Sequence, residues 1–280
     1  MRSLGIDISH HNGKFVHKGN IDFIFARTSN GVDKDREYKN NLPEIKKVEQ
    51  RGTYHYYRTN HIEHPVEEQG ELFLELSSGK GMSMMAVDYE FSGYDDNVIS
   101  RETAIELYGF LLYLLQNRPN KWILLYTGIY TWRDVLLPLQ GEDTKYGVID
   151  WFIFGIWLPR YGWANDTHIL ELKGIPVLPY YDIWQKSKTG KGAAYGVEST
   201  YVDLNEMKIE EQLPEEETDM KKWYASKTLW FSLLFIITAV AGLFGYADFT
   251  PSTQVAEWVQ LGMGVLMAIL RVYTSKGIEP

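Results

Sequence analysis

The chain has 280 residues, a formal charge of −9 and no cysteine. The length suits one large domain, or a domain with an appendage. The negative charge argues against nucleic acid as a partner, and without cysteine there is no disulfide framework or thiolate chemistry. Taken in chain order, the first predicted strand is LGIDIS, in which Leu4, Ile6 and Ile8 alternate with Gly5, Asp7 and Ser9. Asp7 therefore faces away from the isoleucines, just before the polar turn His10–Asn12. Residues 23–27 form a second strand, and Tyr38, Leu42, Ile45 and Val48 give helical spacing over 36–50. A third strand spans 53–57, and a helix follows over 64–77 with Pro65 in its first turn. Residues 84–89 read as a fourth strand. The clearest helix is 100–117, with Ser100 as cap and an interior of Ile105, Leu107, Leu111, Leu112 and Leu115. Residues 122–126 are the fifth strand.

After Asp150 the rhythm changes. Residues 151–158, 176–185 and 197–204 read as strands with no long helices between them. The expected fold class is therefore α/β: an irregular TIM-like (β/α) barrel with about five βα units and additional strands.

Chemistry concentrates in VDYE, residues 87–90. Residues two apart in a strand share a face, so Asp88 and Glu90 project together with Cα atoms roughly 7 Å apart. Two carboxylates in a partly buried site raise one another's pKa, which supplies an acid for cleaving a glycosidic bond. Asp7 brings a further acid to a strand end from a distant part of the chain, and barrel enzymes gather their catalytic groups at the C-terminal ends of strands. Tyr54, Tyr56, Tyr126 and Trp184 are candidate walls of a sugar groove or, equally, core side chains. His10, His11 and His55 fit no zinc spacing, and no metal or cofactor is expected.

GIDISHHNG, FIFARTSNG, GTYHYYR, VDYE, LLYTG, DIWQ and VDLNE occur in the order seen in glycoside hydrolase family 25, which residues 2–208 resemble. Members are lysozymes (N-acetylmuramidases), many of them phage endolysins. Some carry an Ala-Thr-Glu-Gly-like stretch where this chain has Thr28-Ser29-Asn30-Gly31. The resemblance implies a catalytic domain over 1–208 that cleaves the β-1,4 bond between N-acetylmuramic acid and N-acetylglucosamine in peptidoglycan strands. It further implies Glu90 as proton donor, Asp88 and Asp7 as site acids, and Asp203 of VDLNE as a late-strand acid that contacts substrate. A non-catalytic glycan-binding barrel is the alternative for this domain.

A charged connector, 209–227, precedes an uncharged apolar run over 228–247 and a weaker one over 251–270. The first is long enough to cross a bilayer as a helix, so 228–272 is expected to be a two-helix membrane hairpin with a tail at 273–280. Lys221, Lys222 and Lys227 on one flank and Arg271 and Lys276 on the other place both ends in the cytoplasm, at the inner membrane of a host cell. Ala241/Gly245 and Gly264/Ala268 offer close-packing faces for self-association. The arrangement resembles holin-like hairpins of phage lysis proteins, so membrane permeabilisation is a second expected function. Such a topology keeps the catalytic domain from the wall until release or reorientation.

Overall fold

The structure, a computed structural model, describes residues 2–91, 96–162 and 168–208. Eight strands form a closed barrel: β1 (Arg2–Ile8), β2 (Phe23–Asn30), β3 (Gln50–Tyr56), β4 (Met84–Asp88), β5 (Trp122–Tyr126), β6 (Gly155–Pro159), β7 (Ile183–Lys191) and β8 (Tyr201–Lys208). β1 to β7 pair in parallel in chain order. β8 runs the other way between β7 and β1 and closes the ring.

Three helices cover the outside of the first strands: α1 (Tyr38–Ile45), α2 (Val66–Ser77) and α3 (Arg101–Asn117). α3 starts where Ser100 and Thr103 cap each other reciprocally. The Thr103 amide donates to Ser100 Oγ at 3.3 Å and the Ser100 amide to Thr103 Oγ1 at 3.0 Å. Its buried face, Ala104, Leu107, Phe110, Leu111 and Leu114, packs on outward-facing Met85, Val87, Ile123 and Leu125. On the other side Ile6 and Ile8 of β1 face outward into a cluster with Ile24, Ala26, Tyr38 and Ile45. The alternation in LGIDIS thus puts the isoleucines against the helix layer and Gly5 and Asp7 inside the barrel.

The lower interior is filled by Phe23, Phe25, Met84, Ala86, Leu124, Trp157, Ile183 and Met207. Gly5 and Gly52 make room for the two phenylalanines. A Cβ at Gly5 would lie 2.4 Å from the Phe23 ring, and one at Gly52 2.3 Å from Phe25. With the floor occupied, the inward-facing residues one layer higher surround an open mouth at the C-terminal ends of the parallel strands.

Several expected boundaries move. Residues 151–153 are a 3-10 turn, not strand, because Asp150 Oδ1 accepts from the Phe152 amide at 3.1 Å and bends the chain before Gly155. β7 begins at Ile183 rather than 176, and β8 at Tyr201 rather than 197. The membrane hairpin is also corrected. No helix among the described residues is long and apolar enough to cross a membrane, and 228–272 lies outside them. The tether, the lipid-bilayer partner, hairpin self-association, the holin-like function and the inner-membrane location therefore have no structural support and are withdrawn.

Candidate active site

The mouth of the barrel holds a cleft of about 630 Å³ lined by residues from all eight strands or the turns just beyond them. Four carboxylates meet there. Asp7 comes from β1, Asp88 from the last position of β4, Glu90 from two residues further on and Asp203 from β8. Asp7 and Asp203 are direct partners in the antiparallel β1–β8 ladder, so their side chains share a face. Like charges in that position repel.

Amide side chains relieve part of this repulsion. Gln185 Nε2 donates to Asp7 Oδ2 at 2.9 Å and to Asp203 Oδ2 at 3.4 Å. Asn205 Nδ2 donates to Asp7 Oδ2 at 2.8 Å. These amides are themselves held, since Trp157 Nε1 donates to Asn205 Oδ1 at 2.9 Å, and the Tyr126 and Tyr161 hydroxyls donate to Gln185 Oε1. Both amides are buried, and each polar end has a partner.

Burial pushes the Asp7 carboxyl up, with the Asn205 and Gln185 hydrogen bonds opposing it. Burial first, then the charges of Asp7 and Glu90, push Asp203 up to about 8. Asp88 is raised well above the carboxylate range by burial and by Glu90, while the Arg27 guanidinium pulls it back. Protons are therefore shared across this cluster at neutral pH, and the acids titrate as a set.

Arg27 projects inward from β2 and is fixed from behind. Its Nε donates to Asp35 Oδ2 at 3.0 Å, and the same oxygen accepts the His10 amide at 3.0 Å. Burial opposes charge on Asp35, yet the His10 amide and Arg27 hold it below its ordinary value.

Of the residues expected from sequence, Glu90, Asp88, Asp7, Asp203, Tyr54, Tyr56 and Tyr126 all line the cleft. Trp184 does not. It faces outward, 2% exposed, in the core beneath the outer layer, with its Nε1 donating to the Arg160 carbonyl at 2.7 Å. The parity of β7 is the reason: Ile183 and Gln185 point into the barrel, so Trp184 between them points out. His55 is also remote from the cleft. It lies between Ser29 Oγ (2.9 Å) and Gln69 Oε1 (3.1 Å), and burial pushes its pKa down to about 3.

Arg27, Trp157, Gln185 and Asn205 were not anticipated. A signal existed for two of them. Arg27 follows Phe23 and Phe25 at period two, and Gln185 follows Ile183 at the same spacing. In either case a polar side chain at an interior parity marks the mouth of a barrel.

A family model described as "Glycosyl hydrolases family 25" matches residues 6–194. The fold is similar to that of a family 25 glycosyl hydrolase from Bacillus anthracis, with 19% identity, 75% of this chain and 90% of that chain covered, and a TM-score of 0.55. It is also similar to a bacterial lysozyme from Streptomyces coelicolor (20% identity, 74% and 92% covered, TM-score 0.56) and to a GH25 lysozyme from Aspergillus fumigatus (18%, 75% and 95%, TM-score 0.54). A search among curated proteins found no match. With two thirds of its length matched by the family and its acids gathered at the mouth of the same barrel, the chain belongs to glycosyl hydrolases family 25 and is a glycoside hydrolase of the lysozyme type.

Proposed function

We propose that the enzyme is an N-acetylmuramidase that cleaves the β-1,4 bond between N-acetylmuramic acid and N-acetylglucosamine in peptidoglycan. The observation that carries this reading is the convergence of Asp7, Asp88, Glu90 and Asp203, drawn from both ends and the middle of the domain, on one cleft. Hydrolysis needs a proton for the leaving oxygen and stabilisation of positive charge at the anomeric carbon. Glu90 is the proton donor. It stands at the rim, half-buried, where the glycosidic oxygen can reach it. The neighbouring carboxylates favour the cationic transition state electrostatically.

Asp88 holds the substrate's acetamide. Its Oδ1 is buried and has no hydrogen-bond partner, as suits an acceptor kept for a substrate N–H. The acetamide oxygen then attacks the anomeric carbon, and water opens the resulting ring from the same face as the departed group, so configuration is retained. Tyr54, Tyr56 and Tyr126 line the groove and offer apolar ring faces to the sugars.

The test is release of reducing ends from purified peptidoglycan by the full chain. Glu90→Gln lowers the rate on the order of 10²–10⁴-fold, and retained activity removes Glu90 as the acid. Proton NMR of the first product reports its anomeric form; inversion would put water, not the acetamide, in the nucleophile's place.

A further inference from the structure

A cleft lined by four acids offers little attraction to an anionic substrate, yet muramic acid carries a carboxylate on its lactyl group, free or extended into a peptide with carboxylates of its own. Two arginines line the cleft, and both are committed. Arg27 is paired with buried Asp35, and Arg58 with Asp96.

Lys188 differs. It lies on β7 three residues beyond Gln185, in a stretch where the β7–β8 register slips twice, between Gln185 and Ser187 and again between Ser187 and Gly190. Bulges of this kind re-aim side chains beside active sites. Lys186, on the regular side, is tied to Glu206, whereas Lys188 is exposed and makes no ion pair with a described residue. Its Nζ stands 5.6 Å from the centroid of the Tyr161 ring. Tyr161 in turn reaches down to Gln185 in the cleft and is 42% exposed at the rim. Lys188 is also close enough to Asp203 for its charge to act on that carboxyl. An ammonium group on an aromatic face, near enough to Asp203 to act on it but bonded to no acid among the described residues, is available to a substrate anion.

We propose that Lys188, seated on Tyr161, binds the carboxylate carried by the muramic acid substituent and so selects muramic-acid-containing strands. This rests on the muramidase reading above. The competing role is screening of Asp203, which would act on every substrate alike.

The experiment compares the full chain with Lys188→Met and Lys188→Arg on three substrates: peptide-bearing peptidoglycan, strands stripped to free lactyl carboxylates, and the stripped strands with those carboxylates amidated. The methionine variant is expected to raise KM about tenfold on a carboxylate-bearing substrate, with kcat little changed. It should match the wild type on amidated strands, and the arginine variant should recover most of the loss. The wild-type advantage should also shrink with added salt. Loss confined to stripped strands assigns the lactyl carboxylate, and loss confined to intact peptidoglycan assigns the peptide. Equal loss on amidated strands, or no loss on either carboxylate-bearing substrate, overturns the proposal while leaving muramidase activity standing. A wild-type chain that cleaves none of the three overturns the muramidase reading, and this proposal with it.

Discussion

Replacing Asp203 with Asn should stabilise the protein at alkaline pH while impairing its activity. In the fold the Asp203 carboxyl stays neutral up to about 8, because burial and the charges of Asp7 and Glu90 oppose its ionisation. In the unfolded chain it ionises near its ordinary value of 3.8. Between these values the folded state binds more protons than the unfolded one, so stability falls as pH rises. One such group costs about 1.4 kcal/mol per pH unit, which bounds the loss between pH 5 and pH 8 at roughly 4 kcal/mol. Proton sharing with Asp7, Asp88 and Glu90 reduces the part assignable to Asp203, and about 2 kcal/mol is a reasonable share. For a domain near this size that corresponds to roughly 4–8 °C in melting temperature.

The assay is thermal melting of the wild type and Asp203→Asn, followed by near-ultraviolet circular dichroism at pH 5 and pH 8. His55, buried and neutral, imposes its own loss of stability toward acid, but equally in both proteins, so it cancels from the difference. The gap should widen in favour of Asp203→Asn as pH rises. A gap that is the same at both pH values would refute the claim that Asp203 is held neutral by its surroundings.

Gln185→Leu should cost about 2–4 kcal/mol, since it strips a donor from Asp7 and an acceptor from two tyrosine hydroxyls. It should also move the acid limb of the pH–rate profile to higher pH, because a hydrogen bond that lowers Asp7 is gone; an unmoved limb would mean that Asp7 does not govern it. Asp35→Asn should destabilise by about 3–5 kcal/mol in urea titration, as Arg27 is left buried without its counter-ion, and a neutral result would show that Arg27 finds another partner. Trp184→Phe should lose about 1 kcal/mol with its hydrogen bond to Arg160, while kcat/KM on peptidoglycan stays within about twofold. A large rise in KM would return Trp184 to the sugar groove.

Much of the barrel was legible because period-two and helical patterns are local. The alternation in LGIDIS set Asp7 on the face opposite the isoleucines, and the fifth strand fell at 122–126 as expected. The Ser100 cap located α3, because the cap uses side chains within three residues of each other. Boundaries failed after Asp150, where turns such as the Asp150 cap interrupt apolar runs that look continuous in sequence. Trp184 was left open between groove wall and core for a related reason. The start of β7 was set seven residues early, and without the correct register an aromatic's parity has no meaning.

The sequence alone therefore determined which segments alternate and that Asp7 and Asp88 sit near strand ends, because those properties depend on near neighbours. Only the closed barrel decided that Asp7 and Asp203, 196 residues apart, stand opposite each other. Closure also set the surroundings of two of the acids: Gln185 and Asn205 donate to Asp7, and the Arg27 charge acts on Asp88. Those partners arrive on other strands, and the burial that raises the carboxyl pKa values exists only once the ring is complete.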